Sequence, residues 1–255
     1  MTVTAGFVAS TGTVGSDPAV RFAFSGSGDG NMSLSVGPGD ARARSRLARA
    51  LDVAPGSLVF MQQVHGRDVA VVSARDRGRG VRAHTDGVPA VDALVTFDTD
   101  VPLAVLVADC VPMVLVDPDR AVGVVHAGRG GVVNEVVAAT VRTMAPAAPE
   151  AMTAVMGPAI GGCCYEVEAE LAAEVAAGIP AARATTSWGT PALDLPAAVA
   201  AQLRALGVVD VRREGGCTRC DGQRWFSHRR APGAGRQAGA VVRATVAAGD
   251  DGRRS

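Results

Sequence analysis

Two histidines and a cysteine carry the first chemical signal in this 255-residue chain. Three Val-rich apolar runs end in ligand-type residues. The run 57–64 leads into His65, 103–108 leads through Asp109 to Cys110, and 121–125 leads into His126 ahead of Ala127-Gly128. Two imidazoles and a thiolate are borderline-soft donors that suit zinc, with copper as the alternative ion, at about 2.0–2.3 Å. Three protein ligands leave a fourth position open, the pattern of a catalytic rather than a structural zinc. The separations match no short metal motif such as HExxH. The same residues also compose a thiol nucleophile with a histidine base, so a metal-independent cysteine hydrolase competes with the metal reading. Asp109 is a candidate in its own right, because a carboxylate in an apolar run is costly unless it is paired or hydrogen-bonded. As neighbours on a strand, Asp109 and Cys110 are expected to face opposite sides.

Composition narrows the chemistry further. All 25 basic residues are Arg, balanced by 25 acidic ones, and there is no Lys. That excludes a Schiff-base lysine and the lysine of a phosphate loop, so any anion must be held by Arg, hydroxyls or backbone amides. The balanced charge provides no global field for nucleic acid or a membrane surface. The most apolar stretch, 102–116, is interrupted by Asp109 and Pro112 and falls short of the roughly 20 residues that span a bilayer. The beginning of the chain lacks a signal-peptide pattern, and five Cys in no disulfide spacing suit a reducing cytoplasm. The expectation is one domain over residues 1–255 with a flexible tail at 249–255.

The elements that must position these groups alternate between short Val-rich runs and a few helices. Strands are predicted at 57–64, 69–73, 93–96, 103–108, 111–116, 121–125 and 151–156. Helices are predicted at 41–51 with Asp40 as N-cap, 132–144, 167–177, and 195–206 between Asp194 and Gly207. Many strands in succession with few helices between them predict an α+β fold with covered, mixed β-sheets. Arg42, Arg44, Arg46 and Arg49 are expected to wet the first helix rather than form a nucleic-acid patch.

Other clusters invite weaker readings. Gly128-Arg129-Gly130-Gly131 opens a predicted helix, where backbone amides and Arg129 could cradle an anion. Phe226-Ser227-His228-Arg229-Arg230 mixes aromatic, hydroxyl and cationic groups. Cys217-Thr218-Arg219-Cys220 has CxxC spacing but no second CxxC to complete a structural zinc, so Cys220 reads as incidental. Cys163-Cys164 is expected to pack near a turn, and His84 has no assigned role.

The ordered segments Gln63-Val64-His65-Gly66, Val91-Asp92-Ala93-Leu94, Ala108-Asp109-Cys110-Val111-Pro112, His126-Ala127-Gly128, Gly157-Pro158-Ala159-Ile160-Gly161 with Tyr165-Glu166-Val167, Cys217-Thr218, and Phe226-Ser227-His228-Arg229-Arg230 resemble one family. It is the laccase-domain, or multicopper polyphenol oxidase, family of purine nucleoside enzymes, also called peptidoglycan editing factor. The resemblance runs from about residue 22 to 242. It implies a layered α/β/β/α arrangement like that of cytotoxic-necrotizing-factor-like thiol hydrolases. It also implies a zinc held by His65, Cys110 and His126. The implied activity is phosphorolysis of adenosine, inosine, guanosine and methylthioadenosine, with adenosine deamination alongside. Purine nucleosides and phosphate would be its partners. Copper-dependent phenol oxidation and a cell-wall editing role are the alternatives that family names suggest. Asp109 and Cys110 become the catalytic candidates, and Gln63, Arg46, Arg129, Tyr165 and Arg229 the substrate candidates. Departures from the family pattern fall among the latter: Arg129 stands where the family has Trp, Ser33-Leu34-Ser35 replaces Ser-Leu-Asn, and Ser45-Arg46 replaces Asn-Arg.

Overall fold

The computed structural model describes residues 11–14, 20–40 and 42–245. The expected tail at 249–255 lies outside these. The strands in chain order are β1 (Thr11–Thr13), β2 (Val20–Phe24), β3 (Val69–Val71), β4 (Ala93–Thr96), β5 (Leu103–Val107), β6 (Val111–Asp117), β7 (Ala121–Ala127), β8 (Thr153–Met156), β9 (Arg183–Thr185), β10 (Pro191–Leu193), β11 (Asp210–Arg213) and β12 (Gln237–Arg243). The helices are α1 (Ala43–Ala50), α2 (Arg129–Val133), α3 (Val136–Met144), α4 (Ala169–Gly178) and α5 (Leu195–Ala205).

Two large sheets and a small hairpin result. An antiparallel four-stranded sheet has the order β1-β2-β12-β5, and a mixed six-stranded sheet the order β11-β8-β6-β7-β4-β3. The end pairs β11·β8 and β3·β4 are parallel and the central pairs antiparallel. Alternation along the central strands explains the layers. In β6, Val111, Met113 and Leu115 pack toward α3 and α5, while Val114 and Val116 pack toward Phe22, Phe24 and Val105 of the other sheet. Both faces of β6 are covered, which is why its run is apolar without a polar beat. The outer face of the four-stranded sheet packs Ala23, Ala240 and Val242 against Leu47 and Ala48 of α1. The order is helix, sheet, sheet, helix, as the resemblance implied.

Several local expectations change. Residues 57–64 form only the isolated bridges Val59–Leu103 and Met61–Val88 rather than a strand. The helix expected at 132–144 is two, because Glu135 takes a left-handed backbone (φ 63°) between α2 and α3. Asp194 caps α5 by accepting from Ala197 N–H at 2.9 Å, a contact worth about 1 kcal/mol. Asp40 does not cap α1, whose N-cap is Arg42; its carboxylate accepts Arg42 N–H instead. The first helix is not uniformly wet either. Arg44 is buried, donating to the carbonyls of Met32, Gly80 and Val81 and stacking 4.0 Å from the Phe60 ring centre.

Candidate metal centre and the wall beside it

The two sheets meet at one end through the segment Ala108-Asp109-Cys110, which carries the chain from β5 in one sheet to β6 in the other. Neither Asp109 nor Cys110 is in a strand, so the expected alternation between them does not apply. Asp109 has φ 88°, a left-handed backbone that a non-glycine residue adopts only when its surroundings hold it there. Its buried carboxylate is satisfied: Thr218 Oγ1 donates to Oδ1 at 2.6 Å and Arg229 N–H to Oδ2 at 2.7 Å. Pairing therefore resolves the cost of an aspartate in an apolar run.

His126 lies in β7 with the parity of Val122 and Val124, which face the space between the sheets. His65 sits on a loop with φ 61°. One donor atom from each of His65, Cys110 and His126 lies within 4.8 Å of the others. The His65 and His126 rings meet edge to face, 4.6 Å between centroids. Asp92 organises both histidines. Its Oδ1 bonds His126 Nδ1 at 2.7 Å, and its two oxygens accept the N–H groups of Val64, His65 and Gly66 at 3.3, 2.9 and 2.6 Å. One carboxylate thus orients the imidazole and ties down the loop that presents the other, as outer partners of metal ligands do.

The donor chemistry fits a soft divalent metal. Burial alone would raise the Cys110 thiol, but the hydrogen bonds and charge of His126 and His65 bring it down to about 6. Burial likewise opposes the His126 imidazolium, but Cys110 and Asp92 raise its pKa to about 9. These opposite shifts favour a thiolate facing an imidazolium, and a metal cation can take the proton's place. Space is kept for it at Gly128, where a methyl group would stand 3.0 Å from Cys110 Sγ, 3.0 Å from His65 Cδ2 and 3.7 Å from His126 Nε2.

Beside the donors stands a wall of Tyr165 and arginines. Arg229 lies over the Tyr165 ring, 5.1 Å from its centroid, and donates Nη1 to Glu166 O at 2.8 Å. Burial raises the Tyr165 phenol, with Arg129 and Arg229 pulling the other way and the Cys110 charge pushing it further up. Arg129, Arg229 and Cys110 thus all act on the Tyr165 phenol. The other two candidates each make hydrogen bonds within the fold. The Gln63 amide pairs with both backbone groups of Leu106, at 2.7 and 2.9 Å. The Arg46 guanidinium holds Asp29 O and the Asp40 carboxylate.

A family profile described as multi-copper polyphenol oxidoreductase laccase matches residues 26–244. The chain belongs to this laccase family. A purine nucleoside phosphorylase of Streptomyces coelicolor is 51% identical over 197 residues, covering 76% of this chain and 78% of the relative. A purine nucleoside phosphorylase of Corynebacterium glutamicum is 41% identical over 201 residues, covering 77% and 78%. Among solved structures, YlmD from Geobacillus stearothermophilus superposes with a TM-score of 0.82 at 31% identity, over 94% of this chain and 100% of that one. The hypothetical protein YfiH of Bacillus licheniformis gives 0.77 at 27% identity, over 88% and 92%.

Three groups at this laccase-family site were not singled out from sequence. Asp92 and Thr218 lie inside longer motifs, where the available signal is a polar residue bordering an apolar run. Arg236 is the third. Burial lowers its pKa while the charges of Cys110 and Asp109 raise it, so its half-buried guanidinium belongs to the same field. Its position in a Gly-rich loop gave no signal. The family member also has no helix, among its described residues, long and apolar enough to cross a membrane.

Proposed function

We propose that the chain is a zinc-dependent purine nucleoside phosphorylase, acting on adenosine, inosine, guanosine and methylthioadenosine, that also deaminates adenosine in the cytoplasm. The observation that carries this reading is the convergence of an oriented His65–Cys110–His126 donor set, the Asp109 carboxylate and an arginine-flanked tyrosine. The names of the Streptomyces and Corynebacterium relatives support the phosphorylase assignment. Zinc would be held by His65, Cys110 and His126, and when bound would supply Lewis acidity beside the substrate.

In phosphorolysis a phosphate oxygen bonds to C1′ of the ribose as the C1′–N bond breaks. The bonding pair leaves with the purine, which takes up a proton. Arg129, Arg229 and Arg236 supply the positive field that orthophosphate needs in a chain without Lys. The Tyr165 ring offers a flat face to the base. Asp109, held by Thr218 and Arg229, keeps further lone pairs with which to hold and pass the proton. In deamination the same carboxylate would move a proton from water toward the departing ammonia as water replaces the amino group at C6.

A copper phenol oxidase is less well supported, since a His2Cys set offers three donors to one ion rather than the ligands of a copper cluster. The thiolate–imidazolium pair of Cys110 and His126 does favour one second reading, a metal-independent thiol hydrolase. Purified protein incubated with adenosine, with and without phosphate and with and without a chelator, separates these. Phosphate-dependent adenine and ribose 1-phosphate, inosine formation, and loss of both on chelation are expected. Turnover that survives chelation but fails on Cys110 alkylation would select the hydrolase; no adenosine turnover by the zinc-loaded protein would refute the proposal.

A further inference from the structure

Cys163 and Cys164, which precede Tyr165 in the chain, belong to a second group of donors that the reaction does not use. The parallel bridge between Ala159 and Cys217, with Thr218 N–H donating to Ala159 O at 3.2 Å, lays the segment carrying Cys163-Cys164 beside the Cys217–Cys220 turn. Two thiol pairs that are 53 residues or more apart in sequence are thereby brought together. All four Sγ atoms lie within 4.8 Å of one another, with Cys163–Cys220 at 3.7 Å and Cys164–Cys220 at 3.4 Å. The edge of a zinc tetrathiolate, with Zn–S near 2.3 Å, is about 3.8 Å. Four free thiols are thus gathered closely enough for one thiophilic ion to reach them all.

The surrounding backbone is arranged for thiolate. Gly161 N–H donates to Cys217 Sγ at 3.3 Å. Burial disfavours the Cys217 thiolate, yet the N–H groups of Gly161, Cys220 and Arg219 aim at its sulfur and bring its pKa below the ordinary thiol value. Burial and the neighbouring sulfurs push Cys163 up to about 11. Cys220 is raised as well, first by its hydrogen bond with Cys164. Crowded thiols without a cation resist losing several protons, whereas a divalent ion among them reverses that preference. Cys220 is exposed, which leaves an entry path.

We propose that Cys163, Cys164, Cys217 and Cys220 form a second, structural zinc site. Binding replaces thiol protons with four Zn–S bonds and releases those protons to solvent, with no change of oxidation state. The ion staples the 157–165 segment to the turn at 217–220. That turn carries Thr218, and the Arg230 side chain ties it to the following loop by donating to the carbonyls of Thr218 and Trp225 at 2.7 and 2.6 Å. Thr218 Oγ1 and the Arg229 N–H both donate to the Asp109 carboxylate. The site would therefore hold the wall of the catalytic centre without touching substrate.

The test is metal stoichiometry. Protein loaded with Zn2+ and desalted should retain about two equivalents per chain, and a His65→Ala/His126→Ala variant about one. Adding Cys217→Ser and Cys220→Ser to that variant should remove the remaining equivalent. Loading the histidine variant with Co2+ should produce intense thiolate-to-cobalt charge-transfer absorption and a tetrahedral visible spectrum. Zinc should also slow modification of its thiols by a disulfide reagent at least about tenfold. Because these spectral and protection measurements use all four native cysteines, misfolding of the serine variant would not remove the test. Absence of both zinc retention and the charge-transfer band in the histidine variant would overturn the proposal. Intact mass showing disulfides among these cysteines in protein purified under reducing conditions would overturn it too.

Discussion

Asp92 Oδ1 lies 2.7 Å from His126 Nδ1, which leaves Nε2 on the side of Cys110 and of the space kept by Gly128. The same carboxylate receives the N–H groups that fix the His65 loop. Asp92→Asn keeps the size but loses the charge and one acceptor oxygen. Metal affinity should fall about 10- to 100-fold, measured by competition with a chromophoric chelator. Unchanged affinity would show that the carboxylate does not orient the ligands.

Gly128→Ala tests the space itself. Gly128 has φ −78° and ψ 172°, so alanine meets no backbone penalty there. Its methyl group would press on Cys110 Sγ and His65 Cδ2 at 3.0 Å. An overpacking cost of about 1–3 kcal/mol at the donors should lower metal affinity by roughly 10- to 100-fold. Circular dichroism should be unaltered. Wild-type affinity in a folded variant would contradict the geometry.

Tyr165 is the chain's sole tyrosine, so tyrosinate absorbance reports it alone. Burial raises its pKa, and Arg129 and Arg229 partly offset this. Its titration should have a midpoint above the usual value of about 10, and Arg129→Gln should move the midpoint further up. The unfolded chain ionises near 10 while the folded protein keeps its proton. Stability from this group is therefore constant below about pH 10 and declines as pH rises toward the folded pKa. An unshifted midpoint would remove the phenol from the buried wall.

Thr218→Val deletes the hydroxyl that donates to Asp109 Oδ1. A stability loss of about 1–3 kcal/mol is expected by denaturant unfolding, since the buried carboxylate loses a partner. Thr218→Ser should restore most of it. On the proposed mechanism, Asp109→Asn should lower kcat for adenosine by about 100-fold or more, and a normal kcat would exclude Asp109 from proton transfer.

Most of the six-stranded sheet was legible because β-strands covered on both faces leave continuous apolar runs, and β4, β6 and β7 each registered as one, whereas of the four-stranded sheet only β5 did. The run at 57–64 misled, since an apolar stretch records burial and not its hydrogen-bond partners, which here supply only isolated bridges. The break between α2 and α3 was invisible for a related reason: a left-handed Glu135 leaves no mark in a pattern of apolar residues.

The sequence by itself determined the kinds of chemistry open to this protein: imidazole and thiol donors where apolar runs end, arginine as the sole strong cation, and a family signature along most of the chain. Only the tertiary structure decided which groups act together. Asp92 and His126 are 34 residues apart, and Asp109 and Arg229 are separated by 120. Cys163 and Cys220, 57 apart, meet through a bridge between loops. Such separations carry no periodic signal, because the partners are joined by sheet pairing and interlayer packing rather than by the pitch of any one element.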